Sequence, residues 1–229
     1  MARTTRTAAT AAFTRERHSP TSCGRIRGAV RIVRVDVLSG ERRVEEIVRS
    51  TGWLMAALDA ARDMNPPDWL IGAGAVRAAV WDRLHGFDTA TAPADIDVAF
   101  FDSSDLTGER ERRIEARLRA RLPCAPWQAK NQAAVHLWYA RKFGYAVEPL
   151  TSSADAVATW PETSTAVGLR LTVDDRLHIE APFGLDDLLG LVHRRNPRRV
   201  SVDEYERRLR TKRIAERWPR ATILPARTD

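Results

Sequence analysis

The chain is poor in the features that mark secreted, thiolate-metal or membrane proteins. Only two cysteines, Cys23 and Cys124, occur in 229 residues. That is too few for a disulfide framework and the wrong spacing for a thiolate metal site, so a reducing cytoplasm is expected. No apolar run approaches the ~20 residues needed to span a bilayer, so no membrane role is expected. No glycine is followed by Lys-Ser or Lys-Thr, which excludes a lysine P-loop. Lysine itself is scarce, with Lys130, Lys142 and Lys212 the only ones among 37 basic residues.

Charge is abundant but unevenly placed. Residues 1–30 carry six arginines against Glu16, and residues 193–229 carry twelve Lys or Arg against five acids. With an overall charge of +7, residues 31–192 must therefore stand at −5. The middle of the chain is an acidic globular domain, and the basic ends are candidates for contact with nucleic acid. Residues 1–30, rich in Ala, Thr and Arg without sustained periodicity, read as a disordered basic tail. The expected domain then covers 42–192, followed by a basic helical extension over 193–220 packed on it.

Periodicity organises that domain. Alternation over Arg31–Leu38 predicts a short strand, and apolar residues at intervals of three and four from Arg42 predict one helix ending before Asn65-Pro-Pro67. Trp69 to Asp102 reads as strand, glycine turn, helix capped by Gly86, loop, and strand. Leu106–Leu122 predicts a helix, Trp127–Lys130 a third strand and 141–153 a loop. The runs Thr165–Val173 and Leu177–Ala181, joined at Asp174-Asp175, predict a hairpin. Ser201 should start a last helix.

Two chemical signals meet between Trp69 and Asp102. Gly72 and Gly74 lie between an apolar strand and a helix, where missing side chains let backbone N–H groups approach an anion at the positive helix start. Asp95 and Asp97 stand two apart in an apolar strand, so their carboxylates leave one face of the sheet. Like charges so placed call for a cation, and oxygen-only ligation suits Mg²⁺ completed by water and substrate phosphates. Other polar residues have plainer readings: Asp82 as a helix-surface acid, Asp102 as a loop cap. Asn131, Gln132 and His136 are candidates either for substrate contact or for anchoring a loop.

Gly74-Ala-Val-Arg77 followed by Asp95-Ile-Asp97 resembles the nucleotidyltransferase superfamily with the DNA polymerase β-like palm. More closely, Ile71–Arg77, Val80-Trp-Asp82, Leu84-His-Gly86, Asp95–Val98, Asn131-Gln-Ala133, Trp160-Pro-Glu-Thr163 and Ala181–Asp187 together resemble a bacterial nucleotidyltransferase-like family over about residues 45–220. The resemblance implies an α/β (α+β) fold, a mixed sheet flanked by helices with a C-terminal helix. It also implies a Mg²⁺-dependent transfer of a nucleoside monophosphate from an NTP to an acceptor that the motifs do not identify. Gly72, Ala73, Gly74 and Arg77 match the nucleotide-binding turn, and Asp95 and Asp97 the metal pair. A third carboxylate is implied as well, for which Glu162 is the favoured candidate and Glu180 the alternative. Ala73 stands where many members have glycine or serine, so a hydroxyl contact to phosphate is missing there. The other function class consistent with these residues is a lapsed member that binds nucleotide or RNA as a regulatory module.

Overall fold

The three-residue strand β1 (Leu70–Gly72) is paired on both edges and so anchors everything else. The computed structural model describes residues 34–88 and 93–226. In it β1 runs antiparallel to β2 (Ile96–Phe100) and to β4 (Gly168–Leu171). Outside these, β3 (Trp127–Asn131) lies parallel to β2, and β5 (Leu177–Glu180) closes the expected hairpin with β4. The mixed sheet has the order β3-β2-β1-β4-β5.

Alternation divides this sheet into two faces. On one, Ile71, Ile96, Val98, Phe100, Trp127, Ala129, Leu169 and Leu171 are buried. They form one core with Val44, Val48, Leu54, Leu58, Val80, Trp81 and Leu118 from the helices. Those helices are α1 (Arg34–Ser50), α2 (Gly52–Met64), α3 (Gly74–His85) and α4 (Glu109–Arg121). Residues of the opposite phase, Asp97 on β2 with Gln128 and Lys130 on β3, are left partly or fully exposed. The apolar helical layer thus fixes which face of β2 the acids present.

Several boundaries differ from the sequence reading. The expected strand over Arg31–Leu38 is helix from Arg34 onward, because a short alternation is outweighed by the helical period that continues from it; residues 31–33 lie outside the described residues, as does the 1–30 tail. The single helix from Arg42 is two helices. Ser50 and Thr51 both donate their hydroxyls to the Ile47 carbonyl, at 2.9 and 2.8 Å, and Thr51 is extended, which ends α1. The expected loop over 141–153 begins as helix, since α5 (Val135–Phe143) continues from a 3₁₀ turn at Gln132–Ala134 and stops at left-handed Gly144. A short α6 (Ser153–Val157) follows.

After β5 the chain forms a four-residue α7 (Asp186–Leu189), then β6 (Val192–His193), α8 (Val202–Lys212), α9 (Ile214–Arg217) and β7 (Thr222–Ile223). Ser201 caps α8 by accepting from the Glu204 N–H. The two-residue β6 and β7 pair in parallel. This closure brings fully buried Trp218 against Trp81 of α3, with ring centroids 5.4 Å apart. Trp218 Nε1 donates to Asp82 at 2.7 Å. Asp82, expected on the helix surface, is buried under that contact.

Candidate active site

The turn between β1 and α3 is strained where the sequence departs from glycine. Ala73, the residue before α3, has φ 56° and ψ −128°, a conformation that favours glycine. The two flanking glycines do different things. A Cβ on Gly72 would lie 2.6 Å from the Val167 carbonyl oxygen and closer still to the Trp160 ring. Its missing side chain is therefore filled by Trp160 and does not open an approach for an anion, as the sequence suggested. A Cβ on Gly74 would meet only the Asp95 Oδ1, at 3.9 Å. Gly74 is the position where the helix start is open, and the Asp95 carboxylate stands beside it.

Asp97 is the register partner of Gly72 on β1 and of Gln128 on β3. Burial, and then the Asp95 charge next to it, push its carboxyl up from the usual 3.8 to about 6, against the pull of Lys212, Lys130 and Arg208. The Asp95 charge thus opposes ionisation of Asp97, and the charges of Lys212, Lys130 and Arg208 offset part of that cost.

Arg77 belongs to the first turn of α3 and is 5% exposed. Its guanidinium lies over two indole rings, 5.4 Å from the Trp81 centroid and 5.0 Å from that of Trp218. Its buried Nε has no hydrogen-bond partner. Burial lowers it to about 10, with Glu162 and Asp95 opposing that fall and Arg208 and Arg217 adding to it.

Glu162, 1% exposed, lies in the segment between α6 and β4. Its Oε1 accepts from Arg208 Nε at 2.6 Å, and its Oε2 accepts from Arg208 Nη2 at 3.2 Å and Thr165 Oγ1 at 2.9 Å. Burial alone would raise this carboxyl, but the hydrogen bond and charge of Arg208 outweigh it and hold it below its ordinary range. The acceptor capacity expected for a metal is directed to a cation of the C-terminal helix. Glu180 stands on β5, three strand spacings or roughly 14 Å from β2. Among the described residues no group of three or more His, Cys, Asp or Glu is arranged to hold a metal.

The remaining candidates are mostly structural in their contacts. Asn131 Oδ1 accepts from the Asp102 and Ala133 N–H groups, and its Nδ2 donates to the Asp102 and Asp105 carbonyls at 2.8 Å. That saturates the side chain on the loop after β2, the anchoring alternative of the sequence reading. Gln132 donates to the Lys130 carbonyl at 3.0 Å. His136 is partly buried, and its Nδ1 has no partner.

The sequence matches the family described as Nucleotidyltransferase over residues 59–223. The chain belongs to that nucleotidyltransferase family. Among solved structures it is similar to one described as "The NMR structure of the protein reveals a CCA-adding enzyme head domain". That likeness has 31% identity and a TM-score of 0.66, covering 80% of this chain and 96% of the other. A second, described as "tRNA-processing enzyme (apo form I)", shares 18% identity with a TM-score of 0.45, over 79% of this chain and 44% of that one. No curated protein sequence matches. Family membership and the head-domain likeness establish the reaction class as nucleoside monophosphate transfer.

In this nucleotidyltransferase the residues that sequence reasoning missed are Arg208, Lys212 and Trp218. Trp218 covers one face of Arg77, Arg208 is paired with Glu162, and the charges of Arg208 and Lys212 pull the Asp97 carboxyl down. A signal was present: Tyr205, Arg208 and Lys212 follow one another at three and four in a helix, and so lie along one stripe. Late basic residues in α8 had a simpler explanation in the helix dipole, which hid it.

Proposed function

We propose that this nucleotidyltransferase moves a nucleoside monophosphate from a Mg²⁺-bound NTP to a hydroxyl on the 3′ end of an RNA, releasing pyrophosphate. The observation that carries the reading is the repelled Asp95–Asp97 pair beside Arg77, a nine-tenths buried cation whose Nε has no partner. An anion at the start of α3 satisfies Arg77, and a divalent cation relieves the two aspartates; a metal nucleotide supplies both.

The donor set fits Mg²⁺, since two carboxylates leave the rest of its shell to water and phosphate oxygens. When bound, the ion neutralises charge on the transferring phosphate. In this scheme Asp95 and Asp97 hold the ion, and Gly74 and Ala73 offer backbone N–H groups at the helix start. Arg77 fixes a phosphate oxygen from the side of the tryptophans. The acceptor oxygen forms a bond to the α-phosphorus as the bond from that phosphorus to the β-bridging oxygen breaks, and the hydroxyl proton passes to solvent. Glu162 acts by holding Arg208. The basic segment from residue 193 onward and the likeness to a CCA-adding enzyme head domain favour RNA as the acceptor.

The test incubates the protein and its Asp97→Ala variant with each α-labelled NTP and Mg²⁺, with total RNA or RNA-free cell extract. Label on RNA that depends on Asp97 supports the reading. Label on a component of the RNA-free extract overturns the acceptor, and label in neither overturns transfer. Nucleotide retained without transfer would point to the regulatory module.

A further inference from the structure

A cavity of about 360 Å³ lies away from the glycine turn, lined by three stretches distant in sequence. They are residues 145–150 after α5, Asp155 and Thr159 in and just after α6, and Arg198–Arg199 ahead of α8. Hydrogen bonds tie the three together. The Tyr145 hydroxyl donates to the Arg199 carbonyl at 2.6 Å, and Arg198 Nη2 donates to Asp155 Oδ1 at 2.7 Å. Asn196 Nδ2 donates to the Ala158 and Trp160 carbonyls, at 2.9 and 2.8 Å. In the sheet, Asp97 is flanked by Gly72 and Gln128. The 145–150 wall follows Gln128 through the end of β3 and α5, and the Thr159 wall leads into Trp160, whose ring fills the gap at Gly72. Leu70, of the same strand phase as Gly72, packs with Val157 and Trp160. The cavity is therefore built beside α6, on the face of the sheet that presents Asp97.

Its lining interleaves rings with cations. Tyr145 is 38% exposed and stands at 70° to the Tyr139 ring, with centroids 5.4 Å apart. The Arg199 guanidinium lies 5.2 Å from the Tyr139 centroid and has no carboxylate partner among the described residues. Arg198 differs, because its charge is matched by Asp155, which also accepts from the Thr151 N–H and hydroxyl. The remaining acid of the lining, Glu148, is exposed. Exposed Arg141 and Lys142 end α5 just before this wall, and Lys142 lies over the Trp138 and Phe143 rings at 5.5 and 5.3 Å. With Arg199 they outweigh Glu148, so the surroundings favour an anion that also carries a flat apolar face. A nucleotide of a single strand has both parts, since its base stacks on an aromatic ring and its phosphate meets a guanidinium.

We propose that this cavity binds a base near the single-stranded 3′ end of the acceptor RNA, stacked on Tyr145 with its phosphate on Arg199. This rests on the reading of RNA as the acceptor. The strand then continues along the same face of the sheet, which carries its terminal hydroxyl toward Asp97. Stacking on a ring tolerates any base, so the cavity fixes where the strand lies rather than which sequence it has.

The test follows the fluorescence anisotropy of a labelled single-stranded RNA of mixed sequence, and of a blunt RNA duplex, titrated with the full chain. Tyr145→Ala should weaken single-strand binding about fivefold or more and raise the KM for RNA, leaving the KM for NTP within about twofold. Tyr145→Phe keeps the ring but loses the hydrogen bond to Arg199, and should bind within about twofold of wild type. Arg199→Gln should make the fall of log affinity with log salt shallower by about 0.7, and Arg199→Lys should restore it. A loss in Tyr145→Phe equal to that in Tyr145→Ala, an equal loss for the duplex, or a raised KM for NTP in place of RNA overturns the proposal. Wild-type protein that labels RNA, with Tyr145→Ala and Arg199→Gln unchanged in affinity and KM, overturns it while leaving the proposed function intact. Wild-type protein that leaves RNA unlabelled overturns the acceptor reading and the role of the cavity with it.

Discussion

Replacing Asp97 by Asn should make the metal-free protein more stable while destroying its activity. The native Asp97 carboxyl titrates at about 6, where an unfolded chain titrates near 3.8. At 1.36 kcal/mol for each pH unit between those values, keeping the charge costs the native state on the order of 3 kcal/mol at neutral pH. Asparagine keeps the shape and removes the charge, and with it the repulsion from Asp95. Allowing for the partial exposure of the site, the variant should gain about 2 kcal/mol at pH 7. The gain has a definite pH dependence. Between about 6 and 3.8 the native wild type binds a proton that the unfolded chain does not, so its stability recovers as pH falls through that window and the advantage of Asn disappears. Urea unfolding of both proteins in EDTA at pH 7, 5.5 and 4.5 measures this directly, because contributions common to the two cancel in the difference. Mg²⁺ should then raise the unfolding midpoint of wild type but not of Asp97→Asn. A variant less stable than wild type at pH 7, or a difference that does not change with pH, refutes the argument that the pair is held in repulsion.

Three further outcomes are expected. Gly72→Ala should lose about 1–3 kcal/mol, since the new methyl meets the Val167 carbonyl and the Trp160 ring, whereas Ala73→Gly should gain about 1 kcal/mol by relieving a positive φ; thermal unfolding of the pair compares them. Burial pushes His193 down from 6.5 to about 4, so its contribution is intact above pH 6.5 and is lost as pH falls toward 4, by up to about 3 kcal/mol. The unfolding free energy of Asp97→Asn between pH 7 and 4.5 should show this fall, and adding His193→Phe should flatten it. Arg77→Met should unfold within about 1 kcal/mol of wild type, because a buried charge is exchanged for an apolar chain of similar reach, yet bind nucleotide at least tenfold more weakly in equilibrium titration.

The strand–turn–helix at Gly72–Arg77 was legible because it is a local pattern with one geometric meaning: an apolar run interrupted by glycine must turn. Asp95 and Asp97 were read as sharing a strand, but β2 begins at Ile96, so Asp97 lies in the strand and Asp95 just before it, beside the open Gly74. The Glu162–Arg208 pair was not legible, since its members lie 46 residues apart and each has an innocuous local reading. The break at Thr51 was hidden because the apolar positions of α1 and α2 keep a helical spacing through it, while two hydroxyls competing for one carbonyl decide the backbone. The double role of the glycines could not be read either. Gly72 and Gly74 look equivalent in sequence, and only the position of Trp160 separates a filled gap from an open one.

Arg77 lies against rings from two distant parts of the chain, Trp81 in α3 and Trp218 after α9. A ribosome makes the glycine turn and both aspartates long before it makes Arg208, Lys212 and Trp218. During that interval the nascent chain holds the acids with Lys130 but without Arg208 and Lys212, and Arg77 without its second ring. The proposed nucleotide site is therefore complete only once the C-terminal helices are made, and fragments ending before α8 carry the motif residues without Arg208 and Trp218.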